Sequence, residues 1–378
     1  MNNQLRWNSY VLLKGKELSH FWKSHFEIPE KKVLYILGKG FDVRMNLGIE
    51  GLLSAYPDVD ITCLLIEFDE GENSPSIAYQ KYVDENIDQL KELLFKIQDK
   101  KIKLWEGAGR KRRRIGDREA VKIINDYSEI ENYSDIIVDV SALPRGIYFS
   151  LIGKLLALYD HNSTQNGNKQ NLFILTSENA KLDSNIREEG IDEDINYTHG
   201  FTGGLEASIQ NPIIWFPILG ENKLHHISKA YNKINPDEIC PLLPFPAKDP
   251  RRSDNLIGQY RQLLFDELRI EPQNIMYAPE QNPFEVYRNL SLAIKNYYKS
   301  LATIGGCKVV ISTFSSKLLS IGALMVAYEL NQLTTNPVDV GVLNVDSQGY
   351  QIENAKILKK YKEETEVFVT WLTGMPYN

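Results

Sequence analysis

The sequence predicts an α/β protein made of two tandem Rossmann-like units, each with a mostly parallel sheet flanked by helices. Short apolar runs of strand length alternate with helical segments of about 12–20 residues, which is typical of this fold class. One strand–turn–helix motif occurs twice along the chain, and 378 residues are enough for about two domains. We therefore expect an N-terminal appendage over residues 1–30, a first unit over residues 31–232 and a second unit over residues 233–378.

The most informative stretch, residues 136–152, has the pattern of a buried strand, a tight turn and a helix. Asp139, Ser141 and Arg145 lie at the turn. The first backbone N–H groups of such a helix point beyond the strand end, and Ser141 and Arg145 would flank them. This combination is typical of an anion site, most often one for phosphate.

A second copy of the motif lies in residues 307–322. Thr313 and Lys317 repeat the spacing from hydroxyl to cation, with Ser312 and Ser316 beside them. Helix capping by each hydroxyl would explain one motif at a time, but not a cation at the same offset in both. We therefore predict two related halves that each bind part of a phosphate-bearing ligand.

A glycine-rich turn follows the first predicted strand, residues 33–37. Gly38 and Gly40 would allow a ligand to approach the backbone, while Lys39 and Arg44 add positive charge. The spacing matches neither a P-loop nor a GxGxxG motif. Ligands of open parallel sheets bind beyond the carboxyl ends of strands, so this turn is a candidate ligand-binding segment.

The remaining elements follow from apolar runs bounded by turn residues. A proline-rich loop before the helix at residues 255–268 carries Arg251 and Arg252, where an anion would be held. The other predicted strands span residues 61–66, 103–105, 172–176, 212–219, 274–278, 338–345 and 367–371.

Composition and charge exclude several classes of protein. With 43% hydrophobic and 25% charged residues, the chain has the composition of an ordinary globular protein. A formal net charge of −7 argues against wrapping duplex DNA, because neutralising phosphates needs a basic excess. No secretory signal or membrane-spanning run is visible. The three scattered cysteines predict buried side chains, neither metal ligands nor disulfides. We expect a cytoplasmic protein with no cofactor, no metal and no membrane partner.

Candidate catalytic residues are Asp139, Glu67 and His199. Acids at strand ends can act as general acids or bases, or hold a metal-bound water, and a histidine in a glycine-rich loop could assist them. Each has a structural alternative: Asp139 could instead orient the turn from inside the strand. The basic run at residues 110–114 is either a solvated loop tip or a contact for an anion or nucleic acid.

The pattern of apolar strand, Ser or Thr, three residues, Arg or Lys and apolar helix resembles the signature of CARF Rossmann-like domains. The paired arrangement, over most of residues 33–346, resembles SAVED domains. This resemblance implies binding of cyclic or linear oligonucleotide second messengers in prokaryotic antiviral defence. It implies ligand contacts from Ser141, Arg145, Thr313 and Lys317, and from the turns at residues 38–44 and 248–252. The family's hydroxyl turn is typically glycine-rich, whereas the two turns here are not. A mononucleotide or dinucleotide therefore remains an alternative ligand.

Three functions remain open on the sequence. The first is a sensor that binds a nucleotide or oligonucleotide between its two units and signals to a separate effector protein. The second is a nucleotide-processing hydrolase that uses the strand-end carboxylates. The third is a scaffold subunit. The paired motifs and the cations at strand ends favour the sensor, and the aromatic N-terminus leaves a homo-oligomer open.

Overall fold

The chain forms two compact units in a computed structural model. One comprises Tyr10–Gly190 and Ser347–Asn378, and the other comprises Met1–Ser9 and Ile191–Asp346. We call them the seven-stranded unit and the six-stranded unit, after the main sheet of each. In sequence, the segment Ile191–Asp346 of the six-stranded unit is inserted into the seven-stranded unit, and Met1–Ser9 precedes that unit. The structure describes residues 5–71, 75–107, 113–166, 170–190, 192, 195–203, 211–333, 338–347, 349–352 and 358–377.

The central strands are continuous apolar runs because helices cover both faces of a doubly wound parallel sheet. In chain order the strands are β1 (Val11–Lys14), β2 (Lys32–Gly38), β3 (Asp60–Asp69), β4 (Ile97–Lys103), β5 (Trp105–Glu106), β6 (Arg113–Arg114), β7 (Asp135–Asp139), β8 (Asn171–Glu178), β9 (Ile186–Glu189), β10 (Ile213–Ile218), β11 (Glu238–Ile239), β12 (Leu242–Pro244), β13 (Met276–Ala278), β14 (Lys308–Thr313), β15 (Val340–Val342), β16 (Gly349–Ile352) and β17 (Glu366–Thr373).

The helices connect these strands and bury one face against the sheets. In chain order they are α1 (Gly15–Phe26), α2 (Leu47–Ala55), α3 (Gln80–Leu93), α4 (Gly116–Ala120), α5 (Arg145–Asn166), α6 (Ala180–Asn185), α7 (Leu224–Ile234), α8 (Arg252–Arg261), α9 (Pro283–Ser300), α10 (Lys317–Gln332) and α11 (Leu358–Glu363). No helix in the described part of the chain is both long and apolar enough to cross a membrane.

Both main sheets are wound in the same order. In the seven-stranded unit the strand order is β1-β17-β8-β7-β2-β3-β4, and β2, β3, β4, β7 and β8 are parallel. The chain runs outward from β2 to β4 and then continues from β7 on the other side of β2. In the six-stranded unit, the order β13-β12-β10-β14-β15 does the same around β10. Each sheet therefore has a topological switch point, between β2 and β7 and between β10 and β14, which confirms the predicted fold class.

The division between the units differs from the predicted boundary near residue 232. Strand β10, which we had assigned to the first unit, is the central strand of the six-stranded sheet and pairs with β14 along its whole length. Strand β17, expected to end the second unit, pairs antiparallel with β8 in the seven-stranded sheet. An apolar run marks a strand locally, but it does not specify which sheet the strand joins.

The N-terminal segment is part of the folded units and not an appendage. Strand β1 pairs with β17, and Trp22 and Phe26 of α1 lie in the core of the seven-stranded unit. Upstream, Trp7 is buried and packs edge-to-face on the Tyr287 ring of α9, with ring centroids 5.3 Å apart. These aromatic side chains therefore serve packing.

The three cysteines are buried and free, as predicted. Burial raises the pKa of Cys63 to about 12 and the pKa values of Cys240 and Cys307 to about 11. Thiols of this kind remain protonated near neutral pH and act as small apolar groups in the core.

Candidate functional site

At the switch point of the seven-stranded unit, the turn after β2 packs against the turn after β7. A Cβ atom on Gly38 would lie 2.9 Å from the carbonyl oxygen of Ala142 and 2.8 Å from the Leu143 side chain. Real Cβ atoms do not approach so closely, so glycine permits this contact. The two turns therefore form one continuous surface beyond the strand ends.

The six-stranded unit repeats this contact. A Cβ on Gly220 would overlap the carbonyl oxygen of Phe314 and lie 2.8 Å from Ser315 Cα. In each unit the glycine thus meets the residue that directly follows the predicted hydroxyl residue, Ser141 or Thr313. The structure therefore places the two hydroxyl turns in equivalent positions.

The counterpart of the turn at residues 38–44 is not the one predicted. We had matched it with residues 248–252, but those follow β12, whereas residues 219–222 follow the central strand β10. The repeated dipeptides Leu37-Gly38 and Leu219-Gly220 could have identified the pair from the sequence.

Asp139 and Ser141 build the turn from inside. Asp139 Oδ2 accepts a hydrogen bond from the Tyr35 hydroxyl at 2.7 Å, and Oδ1 accepts one from the backbone N–H of Ser141 at 2.9 Å. The Ser141 hydroxyl accepts from the backbone N–H of Ser177 at 3.0 Å. Burial, and then the charge of Asp139, raise the pKa of Tyr35 well above its ordinary value. Asp139 and Ser141 are each 1% exposed, which favours a role in positioning the turn over direct contact with a ligand.

Lys39 and Arg145 are partly exposed cations at this switch point. Lys39 Nζ is 3.1 Å from Glu67 Oε2, and Lys101 Nζ is 3.9 Å from Glu67 Oε1. Arg145 is the first residue of α5 and is partly exposed. The predicted acid Glu67 is thus an ion-pair partner of the predicted ligand-binding Lys39.

The rest of the turn after β2 is held from within the protein. Arg44 is buried and binds both oxygens of Asp42, the shorter contact being 2.7 Å, and Asp183 Oδ1 at 2.8 Å. Burial lowers the pKa of Arg44, but the charges of Asp183 and Asp42 outweigh it and raise that pKa well above its ordinary value. The Asn86 amide donates to the carbonyl oxygens of Gly40 and Asp42, both at 2.9 Å. Arg44, predicted to bind ligand, instead fixes the shape of the turn.

A shared arginine organises the carboxyl edge of the six-stranded sheet. Arg252 donates to both oxygens of Glu221, at 2.6 and 2.8 Å, and to Glu280 Oε1 at 2.6 Å. The other Glu280 oxygen accepts the Lys248 backbone N–H at 2.7 Å. Burial by itself raises the pKa of Glu221, but the hydrogen bonds and charge of Arg252 outweigh it and hold that pKa below its usual value. Arg252 is thus enclosed by carboxylates, whereas Arg251 is exposed.

In the second hydroxyl motif, Ser312 and Thr313 are buried, whereas Ser316 and Lys317 are partly exposed. The Ser312 hydroxyl accepts from the Trp215 indole N–H at 3.1 Å, and Thr313 is buried. The Ser316 hydroxyl caps α10 by accepting a backbone N–H of its first turn at 3.3 Å. Lys317 is the first residue of α10 and is partly exposed. Lys317 therefore corresponds in position to Arg145.

The three predicted catalytic residues are not brought together within one unit. His199 is exposed in a loop beside β15, where the Thr198 backbone N–H donates to the Val342 carbonyl at 2.8 Å. It belongs to the six-stranded unit, whereas Asp139 and Glu67 belong to the seven-stranded unit. Among the described residues, no group of three or more His, Cys, Asp or Glu side chains is placed to hold a metal ion.

Most of the basic run, residues 110–112, lies outside the described residues. Arg113 is paired with Glu106, with Nε 2.9 Å from Oε2, and the Arg114 guanidinium lies 5.2 Å from the centre of the Trp105 ring. Arg114 also donates to the Ser347 carbonyl oxygen at 3.3 Å, so the described end of the run is engaged in contacts within the protein.

No family model matches the sequence, and no curated protein matches it. Three solved structures resemble the chain weakly. A functionally unknown protein from Pseudomonas aeruginosa PAO1 is 9% identical, with a TM-score of 0.22, over 89% of this chain and 97% of that one. A universal stress protein from Archaeoglobus fulgidus DSM 4304 is 10% identical, with a TM-score of 0.22, over 83% and 96%. The E. coli ADP-heptose LPS heptosyltransferase II is 10% identical, with a TM-score of 0.18, over 88% and 97%. Likeness at this level does not extend to function.

Proposed function

We propose that the chain binds a nucleotide or oligonucleotide at the carboxyl edges of its two sheets and acts as a sensor in a prokaryotic defence system. The observation that carries this proposal is the repeated switch point. In both units, a glycine turn packs against a hydroxyl turn, and the helix that follows begins with a cation, Arg145 in α5 or Lys317 in α10.

The physical argument rests on where these groups lie. The crevice beyond the carboxyl ends at a switch point is where open α/β sheets bind their ligands. A cation in the first turn of a helix adds to the positive end of the helix dipole, so both favour a phosphate there. Each unit offers one such place for a phosphate, and a ligand with more than one phosphate is what the resemblance to CARF and SAVED domains implies.

The internal geometry supports binding over turnover. Asp139 is enclosed by two hydrogen-bond donors, and Glu67 is paired with Lys39. A general acid or base must reach the proton that it transfers. A sensor needs instead a rigid turn, which Arg44 and Asn86 provide.

Titration calorimetry with Arg145→Ala and Lys317→Ala tests the proposal. The titrants are mononucleotides, cyclic dinucleotides, and linear and cyclic oligoadenylates. Losing a hydrogen bond to a charged group costs about 1.5–3 kcal/mol, which weakens Kd by about 10- to 150-fold. The control is Lys122→Ala, which removes an exposed lysine paired with Glu119 and should leave Kd unchanged.

Three results would revise the proposal. Wild-type affinity in both variants would refute the paired phosphate sites. A titrant converted to base, ribose or shorter phosphate products during incubation would make the protein a hydrolase. Failure of every titrant to bind wild-type protein would leave the scaffold function.

A further inference from the structure

The residue after the structurally equivalent glycine, Gly38 or Gly220, carries opposite charges in the two units. Lys39 follows Gly38, and Glu221 follows Gly220. Each pairs with an opposite charge near the carboxyl end of a neighbouring strand. Lys39 pairs with Glu67, two residues before the end of β3, and Glu221 pairs with Arg252, the first residue of α8, the helix that follows β12. The same ion pair is thus present at both switch points with its polarity reversed.

The reversal changes what the six-stranded switch point can bind. Arg252 is shared between Glu221 and Glu280, so this group has two negative charges and one positive charge. A phosphate beside Glu221 would be repelled by the net negative charge of these three side chains, which disfavours it. A neutral group that donates hydrogen bonds would be favoured instead.

Glu221 has capacity for such donors. A carboxylate has about four lone-pair sites, and Arg252 occupies one on each Glu221 oxygen. The Glu221 side chain is 49% exposed, compared with 13% for Glu280. The Glu221 carboxylate also accepts from its own backbone N–H, but as a whole it retains acceptor capacity towards solvent, whereas Glu280 is enclosed.

The turn that carries Glu221 is fixed in place. The Tyr260 hydroxyl donates to the Gly220 carbonyl at 2.5 Å and accepts the Lys223 backbone N–H at 2.8 Å. Arg252 holds the carboxylate itself in a two-point contact. Little conformational freedom remains to be lost on binding, which favours affinity and selectivity.

We propose that Glu221 accepts hydrogen bonds from the ribose hydroxyls of the ligand, so that the six-stranded unit selects ribonucleotides over deoxyribonucleotides. This inference rests on the proposed function and assigns the sugar subsite of the same switch point. A vicinal diol offers two donors to one carboxylate, as acidic residues at strand ends bind ribose in other Rossmann-like folds. A phosphate at Lys317, on the adjoining turn, would then belong to the same sugar–phosphate unit.

The test compares Glu221→Gln with Glu280→Gln by titration calorimetry. Both changes weaken the contacts of Arg252, but only the first alters the exposed carboxylate. The probes are the pairs AMP and dAMP, GMP and dGMP, CMP and dCMP, and UMP and dUMP. Thermal melting verifies that both variants fold.

We expect wild-type protein to bind at least one ribonucleotide about tenfold or more tightly than its deoxy partner, since that is the effect of one hydrogen bond to a charged group. Glu221→Gln should reduce this preference to near unity, and Glu280→Gln should keep it. A preference that survives in Glu221→Gln, is lost equally in Glu280→Gln, or is absent from wild-type protein would overturn the inference and leave the proposed function standing. If none of the eight probes binds, the sugar subsite and the mononucleotide part of the proposed function fail together.

Discussion

Replacing Asp139 with asparagine separates a role in building the turn from a role in catalysis. The carboxylate accepts one hydrogen bond from the Tyr35 hydroxyl and one from the Ser141 backbone N–H, at 2.7 and 2.9 Å. Asparagine has nearly the same shape, but its amide nitrogen donates, so one of the two bonds must be reversed or lost. Because a hydroxyl can also accept, Tyr35 can adapt and the backbone bond can survive.

The cost follows from the change in charge. A hydrogen bond to a charged group contributes about 1.5–3 kcal/mol and a neutral one about 0.5–1.5 kcal/mol. Weakening two such bonds should lower the free energy of unfolding of Asp139→Asn by about 2–3 kcal/mol. Tyr35→Phe removes one hydrogen bond to the charged carboxylate and should cost about 1.5–3 kcal/mol by the same argument. Since the two side chains share one bond, the double variant should lose less than the sum of the single losses.

Urea unfolding followed by tryptophan fluorescence measures these free energies, with unchanged m-values as the check that the unfolding transitions are comparable. Nucleotide affinity measured on the folded variants should stay within about threefold of wild type, since Asp139 is 1% exposed. If Asp139→Asn leaves the free energy of unfolding unchanged within about 0.5 kcal/mol and abolishes turnover of a nucleotide, the positioning role is refuted.

Two further changes test the framework around the site. Asp135→Asn should lower the free energy of unfolding by about 3 kcal/mol near neutral pH, because it breaks a buried contact with His25 at 2.7 Å. Burial raises the pKa of Asp135, but the hydrogen bond and charge of His25 outweigh it and lower that pKa, so this stabilisation exists above the unfolded-state pKa. The difference from wild type should therefore shrink below about pH 4; a constant difference would contradict a stabilising role of the ionised Asp135 carboxylate. Gly220→Ala should cost about 1–3 kcal/mol in urea unfolding, because its Cβ overlaps the Phe314 carbonyl. Gly40→Ala, whose Cβ would have its nearest contact at 3.6 Å, is the matched control, and equal losses would argue against the close packing of the turns.

The fold class could be predicted from the sequence because the central strands are buried on both faces. Strands β2, β7 and β14 are buried over nearly their whole length and each contains an apolar run, a pattern typical of doubly wound sheets. The partners of each strand could not be predicted. The run at residues 367–371 has the composition of a strand whichever sheet it joins, and the segment Ile191–Asp346 separates it in sequence from its partner β8.

The candidate site could be predicted only in its local part. The spacing from Ser141 to Arg145 and from Thr313 to Lys317 identified two helices that begin with a cation. The ion-pair partners could not be inferred, because Arg44 binds an aspartate 139 residues away and Arg252 a glutamate 31 residues away. In the sequence alone, where those partners are not known, a cation that fixes a turn cannot be distinguished from a cation that binds a ligand.

Mass spectrometry of bound small molecules is the most direct test of whether this protein binds a nucleotide or oligonucleotide through Arg145. Wild-type protein, Arg145→Ala and the Lys122→Ala control are each incubated with the small-molecule fraction of a bacterial extract, washed and denatured. We expect wild type and Lys122→Ala to release the same intact nucleotide or oligonucleotide, and Arg145→Ala to release at least tenfold less. Equal release from Arg145→Ala, or no phosphate-bearing compound from wild type, would refute nucleotide binding at the switch point of the seven-stranded unit.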